Sequence, residues 1–414
     1  MTKHIHLTKS AEIISVPPSK SHAQRVLFAI ALTKQSAIIN NLGGSDDVLY
    51  VLEIIKQLGF TVDYAGDKVL IQKDSEPSNN QINVGESGLG TRLSVPILSH
   101  FFDHYSINGS GTILNRSMKW FLDYLPQTGI NISLINNRLP LQANGKIESG
   151  IYVVDGSKSS QYISGLLMTL PLCKANSTLI VTNPTSIPYI DITLKVLDDF
   201  NIKIENENYL KYKIPGNQLY FLDDLQYTIE GDFSGAAFWI VYGLLTDGIS
   251  ISNLNPQSVQ ADKAILKIVE AVDGVVNWTE NTLTIRPPEQ LKTFHFDAEN
   301  CPDLFPILTV LALGIRGTSS IKGIHRLSNK ESDRATVLFK EFSKLGAEMK
   351  IHDNTLIING TGQLKTGVIQ SFNDHRIAMS SAIASILTPS GIGITNPNCV
   401  NKSYNTFWET ANNL

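Results

Sequence analysis

The chain has 414 residues, which is long enough for two or three domains that each bury a core of their own. Hydrophobic residues make up 42% and charged residues 17% of the chain, a composition that excludes a disordered protein. The 34 basic and 38 acidic residues leave a net charge of -4, which argues against a general nucleic-acid binder but allows a local basic pocket for small anions.

One pattern recurs six times along the chain, at intervals of roughly 70 residues. Each copy has a polar loop rich in Gly, Ser or Asp, then an apolar helix-like run, then a short β-rich run that ends in Asn or Gly. The copies begin near Ser19, Ser87, Ser159, Ser234, Asp303 and Asp374. Because each copy has room for several strands and two helices, the pattern predicts a repeated α/β fold and not a solenoid of small units.

A second helix can be predicted in two of the copies. Residues 46–58 have amphipathic spacing and are followed by Gly59, a typical residue at a helix C-terminus. Residues 332–345 repeat this arrangement before Gly346.

Six copies in one chain favour two domains of three copies each. The stiff pair Pro17-Pro18 precedes the first copy, and Glu230-Gly231-Asp232 precedes the fourth. Placing the two crossings at these points predicts a first domain at 18–229 and a second domain formed by 1–17 plus 230–414.

The three cysteines, Cys173, Cys301 and Cys399, lie far apart and show no metal-ligand spacing, so we expect free thiols in a reducing compartment. The first ten residues contain no apolar segment of the signal-peptide type. Apolar runs such as 307–315 are too short to cross a bilayer. These features predict a cytoplasmic protein that does not bind membranes.

The loops that open the repeats are the expected place for function, because helix N-termini bind anions through their unpaired N–H groups. Nine side chains that are or can become cationic lie in these loops or at equivalent points of the repeats: Lys20, Arg25, Arg92, Arg116, Lys330, Arg334, His375, Arg376 and Lys402. Nine unrelated surface charges are the alternative. Their recurrence at the same point of the repeat favours a shared anionic ligand.

Nine short strings in these regions follow one another in a fixed order. They are P-P-S-K-S-H-A-Q-R (17–25), G-E-S-G-L-G-T-R (85–92), S-K-S-S-Q-Y-I-S-G-L-L (157–167), S-I-P-Y-I-D-I-T (186–193), E-G-D-F-S-G-A-A-F (230–238), P-D-L-F-P (302–306), N-K-E-S-D-R (329–334), D-H-R-I-A-M (374–379) and N-K-S-Y (401–404). Each string alone is a weak signal. Together, over nearly the whole chain, they resemble the 5-enolpyruvylshikimate-3-phosphate synthase family.

The resemblance implies an α/β fold of two similar domains, each made of three repeated α/β units in an inside-out α/β barrel arrangement, with the site in the interdomain cleft. It implies that the 5-hydroxyl of shikimate-3-phosphate adds to C2 of phosphoenolpyruvate and that phosphate then leaves, in chorismate and aromatic amino acid biosynthesis. The substrates bring roughly five to six negative charges, which calls for several Arg and Lys side chains. The resemblance further implies a monomer, no metal or organic cofactor and no nucleic-acid partner, and it places the chain in a family that is the target of glyphosate, which mimics phosphoenolpyruvate.

Site residues follow from the matched strings. The catalytic set is Lys20, Asp303, Glu331 and His375, with Asp303 as base for the 5-hydroxyl, Glu331 as acid at the methylene carbon, Lys20 assisting proton transfer and His375 beside the leaving phosphate. Shikimate-3-phosphate is expected to contact Lys20, Ser21, Arg25, Ser159, Ser160, Gln161, Ser186, Tyr189, Asp303 and Lys330. Phosphoenolpyruvate is expected to contact Lys20, Gly88, Arg92, Arg116, Gln161, Arg334, Arg376 and Lys402.

Purely structural interpretations exist for several of these residues. Glu331 and Arg334 have the spacing of an ion pair on a helix face. Helix capping would explain Asp303, Ser159 and Ser160, and core packing would explain Tyr189.

The chain departs from the usual family pattern at three places. Glu86 replaces the common Asn in a loop expected to line the phosphoenolpyruvate site, where a carboxylate would repel the substrate unless an Arg pairs with it. Ser117 replaces a usual Pro, and Ser328-Asn329 replace a more basic, apolar pair. We expect these changes to affect affinity and inhibitor sensitivity, not the reaction class.

Two rival functions remain. The enolpyruvyl transferase that acts on UDP-N-acetylglucosamine shares the fold, but it typically carries a reactive Cys on a flexible loop and lacks the S-S-Q and K-E-S-D-R strings. A non-catalytic binding module of the same fold would be expected to have lost Lys20, Asp303 or Glu331, and all three are present.

Overall fold

The structure, a computed structural model, describes residues 1–7, 13–33, 35–66, 68–328 and 330–414. The chain forms two compact units, one of Met1–Ser19 with Glu230–Leu414 and one of Lys20–Ile229. The assignment of domains at 18–229 and at 1–17 plus 230–414 stays a prediction.

The helices and strands alternate along the chain. The strands are β1 (Thr2–Ile5), β2 (Ile13–Ser15), β3 (Ala37–Asn40), β4 (Phe60–Ala65), β5 (Lys68–Lys73), β6 (Gln81–Asn83), β7 (His104–Asn108), β8 (Asn131–Ile135), β9 (Arg138–Asn144), β10 (Ile151–Asp155), β11 (Ser177–Thr182), β12 (Glu205–Glu207), β13 (Lys211–Ile214), β14 (Gln226–Thr228), β15 (Ile249–Ser252), β16 (Val275–Thr279), β17 (Thr282–Arg286), β18 (His295–Asp297), β19 (Gly317–Lys322), β20 (Glu348–His352), β21 (Thr355–Gly360), β22 (Gly367–Ile369) and β23 (Ile392–Thr395). The helices are α1 (Lys20–Thr33), α2 (Asp46–Gln57), α3 (Gly88–Phe101), α4 (Lys119–Tyr124), α5 (Ser160–Thr169), α6 (Ile187–Asp199), α7 (Phe233–Leu245), α8 (Ile265–Ala271), α9 (Phe305–Gly314), α10 (Arg334–Lys344), α11 (His375–Ala384) and α12 (Phe407–Asn412).

In the part of the chain that the structure describes, each unit contains three small sheets with a common pairing pattern. The unit Lys20–Ile229 has the strand orders β14-β3-β5-β4, β6-β7-β9-β8 and β10-β11-β13-β12. The other unit has β16-β17-β15-β2, β18-β19-β21-β20 and β1-β23-β22. Each of these sheets has one parallel pair, and its other neighbours are antiparallel. This is the repeated α/β architecture that the sequence pattern predicts.

The first helix of each repeat forms the centre of its unit. In one unit α3 packs against α1 and α5; in the other, α7, α9 and α11 pack against one another. Helix α9 is apolar on every side and almost entirely buried, as expected for a helix surrounded by protein. The strands around these helices have one solvent face; in β9 exposed and buried residues alternate along the whole strand. The result is an inside-out α/β fold.

The two predicted second helices are present, with one boundary corrected. Helix α2 ends at Gln57, and Gly59 follows with a φ of 89°, the left-handed conformation that glycine adopts without strain. Helix α10 begins at Arg334 and not at residue 332, because the Asp333 side chain accepts a hydrogen bond from the Thr336 N–H and so caps the helix there.

Candidate active site

Lys20 is the first residue of α1 and pairs with a carboxylate from α2. Its Nζ lies 2.8 Å from Oδ2 of Asp47, and the two side chains keep 17% and 9% of their surface exposed. The ion pair fixes the ammonium group at the N-terminus of α1. Asp47 is a functional candidate that sequence reasoning missed, because only the tertiary contact shows its link to Lys20.

Arg25, one turn further along α1, is a buried cation held by neutral groups. Its Nε donates to Thr193 Oγ1 at 2.7 Å, and its two Nη atoms donate to the carbonyl oxygens of Ser21 at 2.9 Å and Tyr189 at 3.1 Å. Only 1% of Arg25 is exposed, and burial lowers the pKa of its guanidinium to about 10. Among the described residues no carboxylate pairs with Arg25, so its charge is left for an anion from outside the chain.

The N-termini of α5 and α6 place the predicted hydroxyl groups. Ser159 caps α5 by accepting a hydrogen bond from the Gln161 N–H at 3.3 Å, and Ser160 is the first residue of that helix and buried. Ser186 precedes α6 with a φ of 54°, an unfavourable conformation for a residue with a Cβ. Such strain is often found at functional positions. Tyr189 lies in the first turn of α6 and is half-buried, so part of its side chain is open to solvent.

Helix α3 presents a second buried guanidinium. Arg92 Nη1 donates to Gln161 Oε1 at 2.7 Å, and the group lies 5.1 Å from the centre of the Tyr162 ring. Its Nε has no hydrogen-bond partner, and no carboxylate in the described ranges pairs with it. Since an arginine with neutral contacts keeps its full charge, Arg92 is a second candidate for binding an anion.

Gly88 lies next to the guanidinium groups of both Arg92 and Arg116. A Cβ added at Gly88 would lie 2.8 Å from Arg116 Nη1 and 2.9 Å from Arg92 Nη1. Arg116 is buried, with 7% of its surface exposed. Glycine therefore lets two guanidinium groups approach the N-terminus of α3. The N-terminus of a helix itself favours a bound negative charge.

Glu86, the unusual residue of this loop, binds the turn that leads to Arg116. Its Oε2 accepts hydrogen bonds from the Thr112 N–H at 2.9 Å and from the Thr112 hydroxyl at 2.8 Å. The carboxylate thus holds the 3-10 turn Gly111–Asn115, which ends next to Arg116. Of the other departures, Ser117 accepts a hydrogen bond from the Lys119 N–H and Ser328 is exposed, while Asn329 lies outside the described residues.

In the other unit, Asp303 is the centre of a cluster of opposite charges. Its Oδ1 lies 3.2 Å from Lys330 Nζ and 2.7 Å from Arg334 Nη1, and its Oδ2 lies 2.9 Å from Arg376 Nη2. Burial would raise the pKa of Asp303, but the charges of Arg376, Lys330 and Arg334 hold it well below its usual range. The contacts of this carboxylate are with cations, and the helix-capping interpretation of Asp303 is wrong.

Arg334 connects the carboxylates of this cluster. It is 1% exposed and donates to Asp303, to Glu331 Oε2 at 2.6 Å and to Asp374 Oδ2 at 2.8 Å. These carboxylates raise the pKa of Arg334, although burial alone would lower it. The pair Glu331–Arg334 exists, but Glu331 precedes α10, so it is not the predicted ion pair on a helix face.

Asp374 is a second carboxylate that sequence reasoning missed. It is fully buried, and besides binding Arg334 its Oδ1 accepts a hydrogen bond from the Arg376 N–H at 3.0 Å, which caps α11. An Asp directly before a helix is a capping signal, so its place could have been predicted, but its bond to a residue 40 positions away could not. His375 is buried as the first residue of α11. Lys402 donates to the carbonyl oxygen of Asn373, just before the same helix, at 3.2 Å.

The predicted residues therefore fall into two groups. The structure brings Lys20, Ser21, Arg25, Gly88, Arg92, Arg116, Ser159, Ser160, Gln161, Ser186 and Tyr189 to the helix N-termini of one unit. In the other unit Asp303, Lys330, Glu331, Arg334 and Arg376 form one cluster of ion pairs, and His375 and Lys402 lie at the N-terminus of α11.

None of the three cysteines has the properties of a reactive thiol. All are free and buried, and burial raises the pKa of Cys173 and of Cys399 to about 11 and that of Cys301 further still. The thiolate is the reactive form, so these groups are inert near neutral pH. The rival function that depends on a reactive cysteine therefore lacks its residue.

Two features are absent from the described ranges. No helix there is long and apolar enough to span a bilayer. Within the same ranges, no three His, Cys, Asp or Glu side chains are grouped so that they could hold a metal ion.

Comparison with known proteins agrees with the geometry. A family model described as EPSP synthase (3-phosphoshikimate 1-carboxyvinyltransferase) matches residues 7–411. A 3-phosphoshikimate 1-carboxyvinyltransferase from Clostridium perfringens is 37% identical over 406 residues, which cover 97% of this chain and 95% of the relative. One from Clostridium kluyveri is 34% identical over 413 residues, with coverages of 99% and 96%. A solved EPSP synthase from Acinetobacter baumannii has a TM-score of 0.83 at 22% identity, covers 100% of this chain and 97% of that chain, and shows the same fold.

Proposed function

The chain belongs to the EPSP synthase family, and we propose that the two groups of buried charges described above carry out the family's reaction. That reaction transfers the enolpyruvyl group of phosphoenolpyruvate to the 5-hydroxyl of shikimate-3-phosphate, and this chain is a 3-phosphoshikimate 1-carboxyvinyltransferase of aromatic biosynthesis. Its substrates are those two compounds. The roles of the individual residues are part of the proposal.

The buried, carboxylate-free guanidinium of Arg25 is the observation that carries the proposal. Keeping a charge in the protein interior with only neutral partners costs free energy, and the lowered pKa of Arg25 reflects this cost. A bound anion removes it, because phosphate and carboxylate accept the paired N–H groups of arginine well. Arg25 is therefore assigned to shikimate-3-phosphate.

The hydroxyl and amide groups near Arg25 complete this assignment. Ser21, Ser159, Ser160, Ser186 and Gln161 all lie at helix N-termini, where they can hydrogen-bond the phosphate and the ring hydroxyls. Tyr189 is assigned to the ring face. From the other unit, Asp303 and Lys330 are assigned to the same substrate. Lys20 is assigned to both substrates.

Phosphoenolpyruvate is assigned to the guanidinium groups at the start of α3 and around Asp303. Arg92 and Arg116 converge on Gly88, and Gln161 orients Arg92. Arg334, Arg376 and Lys402 supply further positive charge from the other unit. Several cations suit a substrate that carries a phosphate and a carboxylate.

Asp303 and Glu331 are the proposed base and acid. In the addition step the 5-oxygen bonds to C2 of phosphoenolpyruvate, its proton passes to Asp303, and Glu331 gives a proton to C3. In the elimination step the bond from C2 to the phosphate oxygen breaks and the C2–C3 double bond re-forms, as C3 returns a proton to Glu331 and the leaving phosphate takes up the proton held by Asp303. Lys20, held by Asp47, assists these transfers, and His375 stands beside the leaving phosphate.

The low pKa of Asp303 in the ligand-free protein is compatible with this role. A carboxylate held by three cations is a weak base. When the substrate anions bind, they share the charges of Lys330, Arg334 and Arg376, which raises the pKa of Asp303 and makes it a better proton acceptor. The base is thus activated by the substrates themselves.

The cellular setting is also a proposal. The three free, buried thiols support a cytoplasmic location, since nothing in their placement requires oxidation. A monomer without nucleic-acid partners, and a reaction without a metal or organic cofactor, complete the proposal.

Release of inorganic phosphate from phosphoenolpyruvate tests the proposed function. We expect release that requires shikimate-3-phosphate and that UDP-N-acetylglucosamine does not support. Release with the sugar nucleotide alone would favour the rival transferase, and no release with either acceptor would favour a binding module.

A further inference from the structure

Asp262 is a buried acidic residue for which the proposed reaction has no role so far. It lies in the 3-10 turn Ala261–Ala264, and only 1% of its surface is exposed. Its Oδ2 accepts a hydrogen bond from the Ser234 hydroxyl, and its Oδ1 has no hydrogen-bond partner among the described residues. A buried carboxyl with one oxygen unsatisfied is costly when ionised, and most such groups have a reason to be there.

The surroundings of Asp262 keep it in place. Ser234 belongs to the first turn of α7, and its N–H donates to the capping carboxylate of Asp232 at 3.2 Å. Two residues before Asp262, Gln260 Oε1 accepts a hydrogen bond from the Phe233 N–H at 3.0 Å. The turn and the start of α7 therefore hold each other, and Asp262 cannot swing away to find water.

The charged groups whose electrostatic field acts on Asp262 belong to three elements. They are Arg376 in α11, Asp303 in the turn Pro302–Leu304 and Asp232 at the cap of α7, and Asp262 itself acts on the Cys301 thiol. The neighbouring Lys263 is directed elsewhere and donates to the carbonyl oxygen of Ser258. Arg376 is the cation among the groups that act on Asp262, and it also binds Asp303 Oδ2 at 2.9 Å.

We propose that Asp262 is a positioning residue for the transfer reaction and that it acts through Arg376. Protonated Asp262 leaves the guanidinium charge of Arg376 to phosphoenolpyruvate, whereas ionised Asp262 competes with the substrate for that charge. The inference rests on the proposed role of Arg376 as a ligand of this substrate. It adds to that role a group that the substrate does not touch.

The direction of the pH effect follows from the charges. Burial raises the pKa of Asp262 to about 7, with Arg376 opposing the rise and Asp303 adding to it. Asp262 is therefore mainly neutral below pH 7 and gains a negative charge above it. A bound anion disfavours that ionisation, so by linkage phosphoenolpyruvate binds more weakly as the pH rises through this range.

The pH profile of kcat/KM for phosphoenolpyruvate, measured at saturating shikimate-3-phosphate, tests the proposal. For the unmodified protein we expect a fall of roughly tenfold between about pH 7 and about pH 9, equivalent to a one-unit shift of the Asp262 pKa on binding. Asp262→Asn keeps an oxygen for the Ser234 hydroxyl but cannot ionise, so this fall is absent. The ionisation of the substrate phosphate near pH 6 affects both proteins equally and lies on the other side of the profile.

Ser234→Ala provides a second variant that keeps the carboxyl. The hydrogen bond from Ser234 favours the ionised form, so its loss raises the pKa of Asp262 and moves the fall to higher pH. Asp297→Asn is the matched control, because Asp297 is an exposed aspartate of the same unit that pairs with Lys322. We expect this variant to have the same pH profile as the unmodified protein. A purely structural role for Asp262 would lower activity at every pH and leave the fall in place, and that result would overturn the proposal.

Infrared difference spectroscopy between about pH 6 and about pH 8 gives a readout that does not depend on turnover. We expect the carbonyl stretch of a protonated carboxyl in the unmodified protein at the lower pH and its loss in Asp262→Asn. Absence of that band from the difference spectrum of the unmodified protein would mean that Asp262 does not change its protonation between these pH values and would overturn the inference. An inactive protein that shows the band would contradict the proposed function and not the ionisation of Asp262.

Discussion

Replacing Arg25 by methionine separates ligand binding from folding more clearly than any other change. The substitution removes a buried charge and keeps an unbranched side chain of similar length. The groups that lose Arg25 keep other partners: Ser164 and Thr193 hydroxyls lie 2.7 Å apart, and Thr193 donates to the Tyr189 carbonyl at 3.2 Å. The variant therefore leaves few unsatisfied polar atoms behind.

The magnitudes follow from the environment of Arg25. The fall in its pKa from 12.5 to about 10 corresponds to a cost of about 3 kcal/mol for keeping the charge in the folded, ligand-free protein. The methionine variant no longer bears this cost, but it also loses the hydrogen bonds of Arg25 at about 1 kcal/mol each, and this loss offsets most of the gain in stability. We therefore expect the free energy of unfolding of the ligand-free protein to change by about 1 kcal/mol or less.

Binding responds very differently. Two charge-assisted hydrogen bonds to an anion are worth together about 3 kcal/mol or more, so the KM for shikimate-3-phosphate rises at least about a hundredfold. Urea unfolding and phosphate-release kinetics measure the two quantities on the same samples. Arg138→Met is the matched control, because Arg138 is an exposed arginine of the same unit and its loss changes neither quantity. A variant that loses more than about 3 kcal/mol of stability while its KM stays within about threefold would show that Arg25 is structural and refute the reasoning.

Four further substitutions test the rest of the site by the same kinetic assay. Lys20→Met and Asp303→Ala each lower kcat by at least about a hundredfold without unfolding the protein, since one positioned proton-transfer group is worth about 10²–10⁴ in rate; more than half of normal activity would rule out the assigned role. Glu86→Gln removes a negative charge and keeps an acceptor for its turn, so the KM for phosphoenolpyruvate falls by roughly two- to fivefold while that for shikimate-3-phosphate changes less; an unchanged or higher value would show that the charge does not reach the substrate. Gly88→Ala pushes two guanidinium groups away from the N-terminus of α3, so the KM for phosphoenolpyruvate rises about tenfold with little change for the other substrate, and an unchanged value would mean that these groups do not bind it.

Much of the fold could be predicted because local chemistry and the repeat agree. A polar residue before an apolar run predicted the helices that begin at Lys20, Gly88, Ser160, Phe233, Phe305 and His375. The start of α10 was misplaced by two residues, because both Ser332 and Asp333 can cap a helix and only the structure shows that Asp333 does so.

The partners of the site residues could not be predicted, because they depend on contacts between distant parts of the chain. Asp47 reaches Lys20 across 27 positions, and Asp374 reaches Arg334 across 40. Nothing in the sequence around Asp262 indicates that this residue is buried and lies within the electrostatic reach of Arg376. Repeats and motifs indicate where cationic side chains lie, whereas the contacts of these cations with Asp47 and Asp374 and the burial of Asp262 can be read only from the packed structure.

We infer that Arg25 and Arg92, which no carboxylate of the described residues pairs with, are held in the interior so that substrate anions can pair with their guanidinium groups. A crystal structure of the protein with shikimate-3-phosphate and phosphoenolpyruvate bound tests this claim most directly. We expect a substrate oxygen within hydrogen-bond distance, about 3 Å, of each guanidinium group. Bound substrates that leave both groups contacting only Thr193, Gln161 and main-chain carbonyls would contradict it.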